Sequence, residues 1–362
     1  MSSVPTHRLA QSINAWGYAY TGQGVRLEKI AFAVSEIPAD SVVVKVAGCG
    51  LCHTDIGFLS GSVKTKMTPP LILGHEISGQ VVETAAAFSA LKGQNVLIPA
   101  VLPCGECELC QAGRDNICQK QKMPGNDFHG GFASHVVVPG RFLCSLPADL
   151  KGFKPAELSV IADAVTTPYQ SLLRSRLRKG ELAIVIGVGG IGIYMLQHAK
   201  KVGARVIAID VAEEKLTTAK NMGAELTLNA KTLGEKEIRE QLREFVKTER
   251  LPRYEWKIFE TSGSAGGQNL AFSLMTYGSV LGIVGFTMDK LTIRLSNLMA
   301  FDADVFGNWG CRPAYYPEVV KEVLGGVIRI ADHIETHPMD SINEVIALAL
   351  EHKLQKRAVL IP

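Results

Sequence analysis

The 362-residue chain contains no apolar run close to the ~20 residues that a membrane-spanning helix requires. The longest, AIVIGVGGIGIYML, is interrupted by four glycines. An excess of charge of one sign is also missing. Thirty-eight lysines and arginines face 35 aspartates and glutamates, and the net charge of +3 is too small to draw the chain to nucleic acid by its field alone. The opening residues, MSSVPTHRLAQSINAW, lack the charged stretch and apolar core of a secretory signal, so a cytoplasmic protein is expected. Internal repeats and low-complexity tracts are absent too. What remains is an ordinary globular composition, 47% apolar and 20% charged, in a chain too long for a single core; two domains are expected.

Eight cysteines stand at positions 49, 52, 104, 107, 110, 118, 144 and 311. An even count is compatible with disulfides, but four of the eight are crowded into PCGECELCQAGRDNIC. In a long chain without a secretory signal, metal binding in a reducing compartment is the better reading. The two-residue gaps between Cys104, Cys107 and Cys110, with Cys118 a little later, let a loop wrap one ion in four thiolates. Four thiolates leave no open position, so this site is expected to be structural. The alternative is a loop of free thiols, an oxidation hazard at this density.

A second set of metal-type residues lies between Gly48 and Glu76. GCGLCHTD places Cys52, His53, Thr54 and Asp55 in one turn of chain, and Gly74-His75-Glu76 follows Pro69 and Pro70. A thiolate and an imidazole from separate segments suit a zinc ion held between them. The Thr54 hydroxyl can reach a group bound to that ion, and Asp55 and Glu76 can orient or tune the ligands. On this stretch alone, a buried cysteine serves equally as a small apolar residue.

Around these motifs the first half is strand-like. Residues 25–47 alternate and end in SVVVKVAG, with Gly48 and Gly50 expected to make a bend that delivers Cys52; EISGQVVET, QNVLIPAV and GGFASHVVVPG continue the β pattern. A small barrel or sandwich is expected. AELSVIADAVTTPYQSLLRS reads as helical with Pro168 in the way, and marks the crossing between domains. Asp163 in an apolar run needs a partner or a capping role. Then come strand, glycines and helix. ELAIVIG leads into Gly187-Val188-Gly189-Gly190-Ile191-Gly192, a G-x-G-x-x-G, and ARVIAID ends in Asp210. The first glycine makes the turn, the second admits a pyrophosphate, and the third lets helix and strand pack closely. A carboxylate ending the second strand bonds a ribose diol and repels a 2′-phosphate, so NAD is expected rather than NADP. Further α/β units follow, with DADVFGNWG as the last strand of a parallel sheet, and the tail returns to mixed α/β.

In order and spacing, Cys52 with Thr54, Gly74-His75-Glu76, the four-cysteine lobe, the glycine fingerprint with Asp210, and RAVLIP resemble the zinc-dependent medium-chain alcohol dehydrogenases over nearly the whole length. The resemblance implies an α/β fold: a GroES-like β-rich catalytic domain (residues 1–160 and 306–362, with a structural-zinc lobe at about 103–119) and a Rossmann doubly wound parallel sheet (161–305), with the active site in the cleft between them. It implies two zinc ions and NAD. Cys52, His75 and Asp163 would bind the catalytic zinc, with Glu76 able to approach it during ligand exchange; many members have cysteine where this chain has Asp163. Thr54 would accept the alcohol's proton. Lys215 would lie beside the adenosine ribose, Thr167 would support the nicotinamide, and His53 and Arg357 would contact the pyrophosphate; Val284 belongs to the same cofactor set. Two positions depart from the pattern: Gly57 replaces a relay histidine, and Ala100 stands where a bulky aromatic often narrows the pocket, implying room for a ring.

Three less generic segments, MPGNDFHGGFASHVVVP, VIADAVTTPYQ and GFTMDKLTIRLSNLMAFDADVFGNWG, resemble the branch of that family that oxidises a cyclic alcohol carried on a CoA thioester in anaerobic aromatic degradation. The resemblance implies a small-molecule CoA thioester substrate and a homo-oligomer, with no nucleic acid and no membrane partner. Lys64 and Lys66 are positions that could meet CoA phosphates, or simply a solvated loop. Two rival readings stay open: a polyol or amino-alcohol dehydrogenase of the same fold, and a non-catalytic zinc- and dinucleotide-binding protein.

Overall fold

The computed structural model describes residues 5–362; the expectation about a leader rests in part on residues 1–4, outside the described residues. The chain forms two compact units, one holding the residues up to Thr166 and again Gly310–Pro362, the other Thr167–Trp309. One is β-rich and the other a parallel sheet with helices, the α/β class expected. No helix among the described residues is long and apolar enough to cross a membrane.

The first unit is built from β1 (Thr6–Tyr20), β2 (Glu28–Pro38), β3 (Ser41–Gly50), β4 (Leu71–Ile72), β5 (Glu76–Thr84), β6 (Asn95–Ile98), β7 (His135–Pro139) and β8 (Cys144–Ser145). β1 pairs antiparallel with β2 and β4, while β3 pairs antiparallel with both β5 and β7. β3 is rich in β-branched residues, and Val42, Val43 and Val44 are fully buried, so a central strand is what its sequence favours. Gly48 and Gly50 do not make the expected bend. Both lie within β3, and they are glycines because of close approach: a Cβ on Gly48 would sit 2.8 Å from the Ala156 backbone, and one on Gly50 would sit on the Glu76 carboxylate.

The second unit carries β9 (Leu182–Ile186), β10 (Arg205–Asp210), β11 (Leu226–Asn229), β12 (Lys257–Glu260), β13 (Val280–Ile283) and β14 (Asp304–Gly307) in the order β11-β10-β9-β12-β13-β14, every pair parallel. β9 is buried at all five positions, as a strand covered on both faces must be. The helix Glu235–Thr248 turns Ile238, Leu242 and Val246 inward, four residues apart, and leaves its charges outside. The strand order reverses between β9 and β12, and the carboxyl ends of those two strands frame a crevice of the kind that takes ligands in open α/β sheets. Pro168 does not break a helix. The helix runs Thr166–Ser175, so the proline falls in its first turn, where a missing N–H costs nothing.

After the second unit the chain returns. β15 (Ile334–Pro338) pairs parallel with β16 (Arg357–Ile361), and β16 pairs antiparallel with β3 at Gly50 and Cys49. The last strand thus lies against the strand that delivers Cys52.

At the crevice, Glu260 ends β12 fully buried. Its Oε1 accepts from the Ser262 N–H (2.8 Å), the Ser262 hydroxyl (2.5 Å) and the Gly263 N–H (3.2 Å). Burial pushes its pKa up, and the Ser262 bonds offset only part of this. A carboxyl raised by folding stabilises the fold below its unfolded pKa and loses that contribution as pH rises through the folded value. Glu260→Gln, which keeps the accepting oxygen, should therefore match the wild-type Tm at pH about 5 and exceed it at pH about 8; the same difference at both pH values would contradict this. A second expectation concerns Gly192, whose Cβ would fall 1.8 Å from the Gly187 carbonyl oxygen. Gly192→Ala should destabilise the second unit by at least about 1–3 kcal/mol in urea unfolding.

Candidate functional site

Cys52 stands at the N-terminus of the short helix His53–Leu59. Asp55, fully buried, ties it to the second segment. One Asp55 oxygen accepts from the Cys52 N–H (3.0 Å) and the other from the Gly74 N–H (3.1 Å), and that second oxygen also faces His75 Nδ1 at 3.4 Å. One carboxylate thus ties the two ligand segments together and stands beside the imidazole. Asp163 follows the helical turn Pro155–Ala162, and its Oδ2 lies 3.6 Å from His75 Nε2 and 4.0 Å from Cys52 Sγ. The Thr54 hydroxyl is 3.7 Å from Cys52 Sγ.

Donor atoms of Cys52, His75, Glu76 and Asp163 all lie within 4.8 Å of one another. Ligands about 2.0–2.3 Å from a tetrahedral zinc stand about 3.5 Å apart, close to the spacing of the first ligand atoms. Neither ring nitrogen of the buried His75 has a hydrogen-bond partner. Burial works to lower the pKa of His75, yet Asp55, Cys52 and Asp163 outweigh it and hold it well above the ordinary value. The same anions that would draw a proton there would draw a cation, so the residues fit a divalent metal.

Glu76 is held differently from the other three. Both its oxygens pair with Arg357, one at 2.8 Å from Nε and the other with Nη2, and both side chains are buried. Burial pushes the Glu76 carboxyl up and Arg357 opposes it. Burial also works against the Arg357 charge, but Glu76, Cys52 and Asp163 hold its pKa raised. Arg357, which the resemblance places near a pyrophosphate, also supplies the counter-charge to Glu76.

The four-cysteine lobe is complete. Its sulfurs are 3.5–3.9 Å apart over the pairs Cys104–Cys110, Cys107–Cys110, Cys107–Cys118 and Cys118–Cys104. Four thiolates about 2.3 Å from one zinc stand about 3.8 Å apart. Backbone N–H groups of Glu106 and Cys107 bring Cys104 down to about 6, whereas burial and the neighbouring thiols push Cys110 up to about 12. Without a cation, four thiols this close cannot all ionise; with one, they can. All eight cysteines are free of disulfides.

In the second unit, Gly187 makes its turn at φ +84 and Gly189 has only the Lys215 ammonium near the place of a Cβ, at 3.7 Å. This leaves the second glycine's backbone open to an anion. Asp210 closes β10, but its oxygens are already engaged: Oδ2 accepts from the Val188 N–H (2.8 Å), and Oδ1 from the Val211 (2.8 Å) and Ala212 (3.0 Å) N–H groups. Asp210 therefore braces the glycine turn. Thr167 is buried, its carbonyl accepting from Asn308 (3.2 Å), and the Val284 N–H donates to the Glu260 carbonyl (2.9 Å). Val188 is buried, Gly190 is exposed, Ile191 is half-buried, and His53 is exposed on the first turn of its helix in the other unit.

Lys66 is drawn to Asp127 at 3.1 Å, while Lys64 is exposed. Ala100 is buried, its N–H 3.4 Å from the Ala162 carbonyl oxygen. Glu260 and Tyr316 escape a reading of the sequence. Each sits in a run that looks like ordinary strand or helix, and only its burial among polar groups marks it.

Residues 38–148 match the alcohol dehydrogenase GroES-like domain and residues 190–325 the zinc-binding dehydrogenase family. An alcohol dehydrogenase of Geobacillus stearothermophilus is 32% identical over 322 residues, covering 88% of this chain and 91% of the relative. Among solved structures, the alcohol dehydrogenase of the archaeon Aeropyrum pernix aligns with a TM-score of 0.85 and 27% identity, over 96% of this chain and 100% of that one. The acetophenone reductase of Geotrichum candidum, solved with NAD, shares the fold with a TM-score of 0.83 at 24% identity, over 96% of this chain and 97% of its own. With the donor set, the four-thiolate lobe and the glycine turn in place, the chain belongs to the zinc-dependent medium-chain alcohol dehydrogenase family and is an oxidoreductase.

Proposed function

We propose that the protein oxidises a cyclic secondary alcohol carried on a CoA thioester, 6-hydroxycyclohex-1-ene-1-carbonyl-CoA, to the corresponding 6-oxo compound, in the cytoplasm and as a step of anaerobic aromatic degradation. The observation that carries the chemistry is the set Cys52, His75 and Asp163 with Thr54 Oγ1 3.7 Å from Cys52 Sγ. Zinc held by those three side chains supplies a Lewis acid that acidifies the alcohol, and NAD supplies the hydride acceptor. The chain's own residues do the rest. One thiolate and one carboxylate match the ion's charge, and Asp55 keeps His75 turned toward it. Thr54 takes the hydroxyl proton as the C–H hydride leaves, and passes it outward. Asp210 and Lys215 hold the adenosine ribose, with Gly187–Gly192 around the pyrophosphate. Glu76, paired with Arg357, would be a fourth donor close to the ion.

The substrate assignment rests on likeness in three segments, and the places of two of them support it. Residues 123–132 wrap the His75 segment: the Gly131 N–H donates to the Gly74 carbonyl (2.9 Å) and the Phe132 N–H to that of Leu73 (3.0 Å). The second segment contains Asp163. Ala100, at the position where the resemblance has a bulky aromatic, is consistent with room for a ring. The test is NAD reduction by the purified protein with the cyclic hydroxy-enoyl-CoA, the same ring without CoA, simple secondary alcohols and polyols. Turnover specific to the thioester supports the reading. Equal or better turnover of a polyol replaces the substrate, and turnover of none removes catalysis itself.

The two metal positions should separate by function. Asp163→Ala should lower kcat at least about 100-fold with little change in Tm. Cys107→Ser should lose roughly 3 kcal/mol or more of stability, because the closed site holds the lobe. Metal content, thermal unfolding and kcat of both variants check this; full activity in Asp163→Ala would take it out of the ligand set.

A further inference from the structure

The Tyr316 hydroxyl is buried at the junction of three segments of the first unit. The residue is 1% exposed and opens the helix Tyr316–Leu324. Its hydroxyl donates to the carbonyl of Ala162, the residue immediately before Asp163. Burial pushes the phenol's pKa up, and the Thr166 side chain and the Ala100 backbone, both close by, oppose part of that rise. Thr166, fully buried, also brings its Oγ1 to 3.4 Å from the carbonyl oxygen of Asp163 itself. The carbonyls of Ala162 and Asp163 are therefore both fixed through one phenol and one hydroxyl. Next to Tyr316 in the chain, the Tyr315 ring lies under Arg312, which pairs with Asp115 of the four-cysteine lobe (Nε to Oδ1, 2.7 Å).

Asp163 has reason to need this support. Aspartate has one more rotatable side-chain bond than cysteine and two equivalent oxygens, so a carboxylate ligand places its donor atom less firmly than a thiolate does. Asp163 also sits in a non-helical turn between two helical segments, with no strand to align it. A buried hydroxyl without partners costs free energy, so the phenol's bonds are kept, and they hold the backbone on which the carboxylate is mounted.

We propose that Tyr316, with Thr166, is a positioning residue that sets the backbone of Asp163 and thereby the affinity and geometry of the catalytic metal centre. This rests on the reading of Cys52, His75 and Asp163 as the ligands of that centre. Tyr316→Phe keeps the ring and removes only the hydroxyl. In chelator competition, the variant should lose roughly 10–100-fold in affinity at the one-thiolate centre, as for other groups that orient metal ligands, while the four-thiolate site keeps wild-type affinity. With cobalt in the one-thiolate centre, its absorption bands should shift in position and intensity, a change that lower global stability would not produce. Wild-type affinity and an unchanged cobalt spectrum, whatever the Tm, would overturn the proposal, as would equal losses at both sites. If Tyr316→Phe yields no folded protein, Thr166→Val is read by the same measurements with the same outcomes. A wild-type protein that takes only the four-thiolate ion would instead remove the ligand reading itself, and Tyr316's role with it.

Discussion

Too many buried anions in one place is the condition around which the first unit is built. Cys52, Asp55, Glu76 and Asp163 converge near one imidazole, and Asp55 and Glu76 are fully shielded from water. Buried charges are tolerated only when paired. Arg357 answers Glu76, and the N–H groups of Cys52 and Gly74 answer Asp55. Cys52 and Asp163 face His75, and a divalent ion among the three fits their chemistry. The strand pairing follows from this need, since Arg357 reaches Glu76 because β16 lies against β3 and β3 against β5. Gly50, opposite Glu76, is the gap into which that carboxylate fits.

The second unit solves a different problem with the same device. Its crevice has to present backbone N–H groups to an anion, which requires a turn that would otherwise be loose. Asp210 fixes the turn from one side through the Val188 N–H, and Thr261 does so from the other, its hydroxyl donating to the Gly187 carbonyl at 2.6 Å. Glu260 holds the next loop by three bonds to Ser262 and Gly263. Carboxylates thus serve as braces for loops in both units: Asp55 for the metal segments, Asp210 and Glu260 for the nucleotide crevice. Such bracing is what puts a ligand-binding loop on a rigid frame.

The four-cysteine lobe closes without help from a core. Its sulfurs come from one short loop, and residues 104–118 add no side chain to the core cluster that holds Val42, Val44, Ile77 and Phe132. Its tie to the rest of the unit is polar, through Asp115 to Arg312 and, from Arg312, to the turn that carries Tyr316. The four-cysteine set and the Cys52–His75–Glu76–Asp163 set share no residue.

Local chemistry was legible in the sequence wherever the requirement is local. Four thiolates around one ion demand close spacing, and Cys104 to Cys118 show it; a glycine turn between strand and helix demands Gly187, Gly189 and Gly192, and the order of motifs led to the family. Cys52 and His75 stood out as a thiolate and an imidazole in neighbouring segments, but Asp163, 88 residues beyond His75, was read as a ligand only through resemblance, because nothing local announces that it meets them. What the tertiary structure alone decided are the partners. Gly48 and Gly50 are glycines for the sake of Ala156 and the Glu76 carboxylate, not for a bend; Arg357 is occupied by Glu76; Tyr316 reaches Ala162 across 154 residues. A turn or a metal-binding loop is specified by neighbours in sequence, so its residues spell it out. The satisfaction of a buried charge or hydroxyl depends on whichever segment packing brings beside it, and that is settled only when the whole chain has folded.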